Sequence, residues 1–137
     1  MEDPYGYLHG HPAPRHHCDK ASMAPIRVSD VIGPRAWRQS RTYAELAGSM
    51  GMRYELIVPL VVSSREYSAL GILRADRDLT DSDRETAARL QPVLIGLHTL
   101  AARVVRPPPP DSFAGQLTLP KRCLRVNARF CGSSAAD

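Results

Sequence analysis

No apolar run in this chain approaches the roughly 20 residues needed to span a bilayer, which excludes a membrane helix of ordinary length. The opening residues, MEDPYGYLHGHP, lack the basic start and apolar stretch of a secretory signal, so a cytoplasmic location is expected. Cysteine is scarce: Cys18, Cys123 and Cys131 are odd in number, far apart and without a CxxC pair, which argues against a disulfide framework. No GxSxG, HExxH or GxxxxGK[ST] occurs, and neither an enzyme nor a cofactor is expected. Aromatic residues make up only 6%, with a single tryptophan, and lysine is nearly absent because sixteen of the eighteen basic residues are arginine.

The chain does contain an ordinary globular balance of 43% hydrophobic and 23% charged residues, enough for one domain in 137 residues. Charge is unevenly placed. Residues 1–115 carry fourteen Lys and Arg against thirteen Asp and Glu, whereas Lys121, Arg122, Arg125 and Arg129 face only Asp137 in the remainder. The net charge of +4 therefore belongs largely to a short tail, not to a charged groove in the domain.

Residues 1–25 are punctuated by Pro4, Gly6, Gly10, Pro12, Pro14 and Pro25 and read as a loop rich in proline and histidine. Val28, Val31 and Ile32 suit a short strand or one turn, and Pro34 starts a helix expected to run to Met50. From Met52 to Val62 the residues Met52, Tyr54, Leu56, Val58, Leu60 and Val62 alternate onto one strand face, with Pro59 marking an edge or a bulge. Ser63–Glu66 is a turn and Tyr67–Arg74 the returning strand of a hairpin. Thr80 then caps a helix whose first turn carries Asp81, Asp83 and Glu85. Along it Ala87, Leu90, Leu94, Leu97, Ala101 and Val104 recur in a heptad-like seam, interrupted by Pro92 and ended by Pro107–Pro110. The expected fold is α+β: an antiparallel hairpin or sheet packed by helices, with a long C-terminal helix and a disordered tail. Two strands alone are marginal, so the sheet lacks visible partners.

The chemistry-bearing groups are few. His9, His11, His16 and His17 cluster beside Cys18, a set of good transition-metal ligands whose spacing matches no zinc-finger pattern. Leu90, Leu94, Leu97, Ala101 and Val104 are candidates for a dimer seam, beside their role as core.

Several strings share an order and spacing with a known family. These are Ile26-Arg-Val-Ser-Asp-Val, Trp37-Arg-x-Ser, Tyr43-x-Glu-Leu, Gly51-Met-Arg-Tyr-Glu-Leu, Gly71-Ile-Leu-Arg-Ala-Asp-Arg and Leu79-Thr-Asp-Ser-Asp-Arg-Glu. Across residues 9–106 they resemble the GAF-like regulatory region of actinobacterial LuxR-family transcriptional regulators. The resemblance implies a partial GAF-like sensor domain at 26–106, a proline-rich linker at 107–118, and a basic tail at 119–137 where a DNA-binding helix-turn-helix would follow. The expected function is a sensory and dimerisation module of such a regulator, lacking its own DNA-binding domain. Its expected partners are a small-molecule ligand, walled by Trp37, Tyr43, Tyr54 and Tyr67, and a second copy or a full-length homologue. DNA binding would need the helix-turn-helix, and no membrane partner is expected. The alternatives are a metal-binding protein using the histidine cluster and a non-functional remnant.

Overall fold

The computed structural model describes residues 10–104 and the backbone of residues 123–128. The expected linker at 107–118, most of the basic tail at 119–137 and His9 lie outside the described residues.

The first element corrects the loop expected over residues 1–25. Pro12–Lys20 is a helix, α1, because its prolines fall in the first turn, where a missing N–H leaves no hydrogen bond unmade. His11 caps it, its Nδ1 accepting from the backbone N–H of Ala13 at 3.1 Å. The far end closes on Ala21 in the left-handed conformation (φ 47°), with Ala21 N–H donating to the Cys18 carbonyl and Ser22 N–H to that of His17.

Ile26–Arg27 forms the two-residue strand β1 and Val28–Val31 the single turn α2. α3 spans only Pro34–Gln39, so the long helix expected to Met50 is broken. The cause is Ser40: its side chain and its backbone N–H both donate to the Trp37 carbonyl, and its hydroxyl accepts from Tyr43 N–H. A side chain that competes for backbone groups in this way favours a turn over continued helix. Helical turns resume over Tyr43–Ala47 and Gly48–Met50 and stop at Gly51, whose φ of 70° suits glycine.

β2 (Tyr54–Val62) and β3 (Tyr67–Arg74) make the expected hairpin. β1 pairs antiparallel with β2 through Ile26↔Ile57 and Arg27↔Leu56. On the other side Cys123–Ala128, β4, pairs antiparallel with β3, giving a four-stranded sheet of order β1-β2-β3-β4. Those six positions lie within the expected tail at 119–137.

The single apolar face expected from Met52 to Val62 is also corrected. A register shift between Pro59 and Val61 changes which face each following residue occupies. Leu56 and Val58 pack with Leu79, Ala87 and Leu94 on one side of the sheet. Ile57 packs on the other, in a core with Ala13, Val28, Trp37, Tyr67 and Leu73, and Val62 joins that side after the shift. The sheet is therefore buried on both faces, between the short N-terminal helices and the C-terminal helix α4 (Asp81–Val104).

α4 starts as the sequence predicts. Thr80 Oγ1 accepts from Asp83 N–H at 3.1 Å while the Asp83 carboxylate accepts from Thr80 N–H at 2.7 Å, a reciprocal cap. Those hydrogen bonds, first the Thr80 backbone and then the Arg74 guanidinium, hold the Asp83 carboxyl down at about 2. The helix runs unbroken through Pro92. Gln91 fixes it laterally, its Nε2 donating to the Met23 carbonyl at 2.6 Å and the Pro59 carbonyl at 2.7 Å. The apolar seam divides in two. Ala87 is buried and Leu94 packs on the sheet, with Ala101 half-buried in line with them, whereas Leu90, Leu97 and Val104 point away and are more than half exposed.

Candidate ligand cleft

The short helices α2 and α3 stand over the start of β2 and leave between them a cleft of about 130 Å3. Its apolar wall is Ile32 and Pro34, and its far side is formed by Tyr54 at the start of β2. Val28, Trp37 and Glu55 are buried and form the floor. Ser29, Arg38 and Arg53 are exposed and form the rim, with the partly exposed Asp78 beside them.

Trp37 is placed by the brevity of α3. Pro34 at its first turn and Ser40 at its last confine it to about two turns, and the indole meets His11 and Tyr43 edge-on at 5.4 and 5.7 Å between ring centres. The residue is 4% exposed, yet its Nε1–H has no acceptor among the described residues. A buried donor left unpaired costs about 1–3 kcal/mol.

Beside it, His11 and Glu55 form a pair whose protonation follows from geometry. Because His11 Nδ1 accepts from Ala13 N–H, the ring proton is on Nε2, which donates to Glu55 Oε2 at 3.0 Å. The contact is a hydrogen bond from a neutral imidazole to a carboxylate, and the side chains are only 4% and 2% exposed. Burying a carboxylate with one such donor is costly unless its remaining capacity is also met.

The rim is tied to the start of α4. Ser29 Oγ donates to Asp78 Oδ2 at 2.6 Å, and Asp78 Oδ1 accepts from Leu79 N–H. One step outward, the Arg27 guanidinium binds both Asp30 oxygens at 2.9 and 3.0 Å and donates to the Leu79 carbonyl. The hydrogen bond between them raises the Arg27 pKa and lowers that of Asp30.

Of the four aromatic residues singled out as pocket walls, the structure brings Trp37 and Tyr54 together in the cleft. Tyr43 stands behind Trp37 and is not among the lining residues. Tyr67 is elsewhere, 1% exposed, with His17, Ala24 and a separate cavity of about 10 Å3. There His17 Nε2–H donates to the Ala24 carbonyl and Tyr67 O–H donates to Nδ1, each at 2.9 Å. Burial depresses the His17 pKa and raises that of Tyr67. Both nitrogens of His11 and of His17 are thus engaged in the fold, and His16 stacks edge-on against His17. Among the described residues no group of three or more His, Cys, Asp or Glu is placed to hold a metal ion.

Sequence reasoning missed Glu55, Asp78, Arg38 and Arg53. The available signal was Glu55 itself, a carboxylate followed directly by the apolar string Leu-Ile-Val-Pro-Leu. A family model described as an autoinducer binding domain matches residues 5–101. No curated protein and no solved structure matches the chain.

Proposed function

We infer, from the premise that this chain belongs to the autoinducer-binding domain family, that the cleft beside Trp37 receives a small signal molecule. The chain then acts as the sensory module of a LuxR-type transcriptional regulator in the cytoplasm, by binding and not by catalysis. The observation that carries this reading is the cleft itself, whose lining includes Trp37, a buried indole with no acceptor for its Nε1–H among the described residues. A carbonyl accepting that proton removes an existing desolvation cost, so the site gains more from a ligand than a satisfied core indole would. Glu55, with His11 as its one partner among the described residues, offers an acceptor for a ligand N–H or O–H. The floor therefore suits a molecule carrying acceptor and donor close together. The GAF-like affinity and an actinobacterial source rest on the sequence resemblance alone.

Calorimetric titration with N-butanoylglycinamide, a small neutral amide, tests the reading. Saturable binding that weakens about tenfold in Trp37→Phe is expected; heat that never saturates, or equal affinity in the variant, contradicts it.

A specific observation also favours pairing of two copies. Leu90, Val93, Leu97, Leu100 and Val104 follow each other at spacings of 3, 4, 3 and 4 along α4, and all are 54% to 74% exposed. That is the repeat of a helix seam that packs on a second helix. The seam differs from the one expected in the sequence, in that Leu94 and Ala101 face inward and Val93 and Leu100 take their places.

A further inference from the structure

The cleft contains a charge pattern that the binding reading does not use. Of the twelve arginines at residues 10–104, Arg15, Arg27, Arg41, Arg74 and Arg84 are paired with carboxylates and seven are not, and two of those seven line the cleft. Arg38 and Arg53, both on the rim, have no carboxylate partner among the described residues. Arg38 uses only its Nε, which donates to the Pro34 carbonyl at 3.3 Å. The backbone N–H of Arg53 is bound to the Arg74 carbonyl, and its guanidinium is unengaged by the described side chains. The acidic groups of the cleft are differently placed: Glu55 lies on the buried floor against His11, and both Asp78 oxygens are already occupied by Ser29 and Leu79. The rim therefore presents unused donors with positive charge. A guanidinium fork matches a carboxylate or phosphate oxygen pair better than any neutral group.

We propose that the ligand of this cleft is an acid, a small molecule whose anionic group is held at the rim by Arg53 and Arg38. The proposal rests on the ligand reading above and adds a charge to it. The anionic group lies toward solvent, where it keeps part of its hydration and avoids the Glu55 charge at the floor. Because the rim is exposed, the discrimination is modest and falls as salt rises.

The chain has one tryptophan, so fluorescence excited selectively at the indole reports on Trp37 in the cleft lining. The experiment titrates the protein with N-butanoylglycine and with N-butanoylglycinamide, which differ by the charge of one terminal group, at neutral pH and low ionic strength. The acid is expected to bind at least about fivefold tighter than the amide. That preference is expected to disappear in Arg53→Gln combined with Arg38→Gln and to survive in Arg35→Gln, an exposed arginine of α3 outside the cleft lining. Equal affinities, or a preference for the amide, overturn the acid ligand and leave the cleft reading standing. A preference lost equally in Arg35→Gln also overturns it, since the effect is then one of net charge. No saturable response to either compound overturns both.

Discussion

Replacing Trp37 and Tyr67 by phenylalanine, one at a time, should leave stability nearly unchanged in the first case and reduce it in the second, although both residues belong to the same core. Trp37→Phe removes two ring carbons and the ring nitrogen from a residue that is 4% exposed, and the carbons carry a burial loss of about 1.6 kcal/mol at roughly 0.8 kcal/mol per carbon. It also removes an unpaired buried N–H, whose desolvation costs the wild-type protein about 1–3 kcal/mol. The two terms offset, and the net change in unfolding free energy should be within about 1 kcal/mol. Tyr67→Phe removes a single oxygen, but that oxygen donates to His17 Nδ1 at 2.9 Å, and the histidine ring is buried with it. The orphaned nitrogen should cost about 1–3 kcal/mol with almost no compensation. Urea denaturation followed by far-ultraviolet circular dichroism measures both, since tryptophan fluorescence is lost in the first variant. A loss above about 2 kcal/mol for Trp37→Phe would show the indole N–H to be satisfied and remove the argument for a ligand acceptor. A neutral Tyr67→Phe would refute the buried hydrogen bond.

Acid should weaken the fold through His17. Burial lowers its folded pKa below 6.5, so the unfolded chain takes up the proton first; stability is full above about pH 6.5 and declines as pH falls below it. Thermal melting at pH 7.5 and 5.5 should show that decline and a shallower one in His17→Gln, whereas a Tm that rises on acidification in the wild type contradicts it. Gln91→Ala leaves the Met23 and Pro59 carbonyls without their donor and should cost about 2–3 kcal/mol by denaturation; a loss under about 0.5 kcal/mol would mean that α4 is held by apolar contacts alone. Ala21→Gly relieves a left-handed backbone at φ 47° and should stabilise by about 1 kcal/mol; a destabilised variant would contradict the helix ending described for α1. Leu97→Glu places a charge in the middle of the exposed α4 stripe and should shift sedimentation from dimer to monomer with an unchanged melting profile of the monomer. Wild-type protein that sediments as a monomer at every concentration removes the pairing.

What could be read in advance was local. The hairpin strands follow from alternation bounded by a Ser-rich turn, and the start of α4 follows from Thr80 and Asp83 three residues apart. The errors arose where a rule about residue type met a position that reverses it. Pro12 and Pro14 break helices in their interior, yet in the first turn of α1 they are tolerated. Pro59 announced an irregularity, but only the register shift shows that it moves Val62 to the opposite face from Leu56. The α4 seam mixed two stripes, one facing the sheet and one facing out, because at 3.5-residue spacing both satisfy the same pattern. The cleft was legible only as a short supply of aromatics. His11 and Glu55 meet across 44 residues, and Ser29 and Asp78 across 49, and no sequence periodicity links positions so far apart.

The most direct test of the ligand cleft is the indole resonance of the one tryptophan in a proton–nitrogen correlation spectrum of 15N-labelled protein. With Nε1–H unpaired among the described residues and Trp37 in the cleft lining, N-butanoylglycine should move that single peak downfield and saturably, while backbone peaks of the exposed α4 face stay in place. An indole peak that stays still at saturating probe, or one already downfield in the unliganded protein, would show that Trp37 has its acceptor within the fold and that the cleft does not use it.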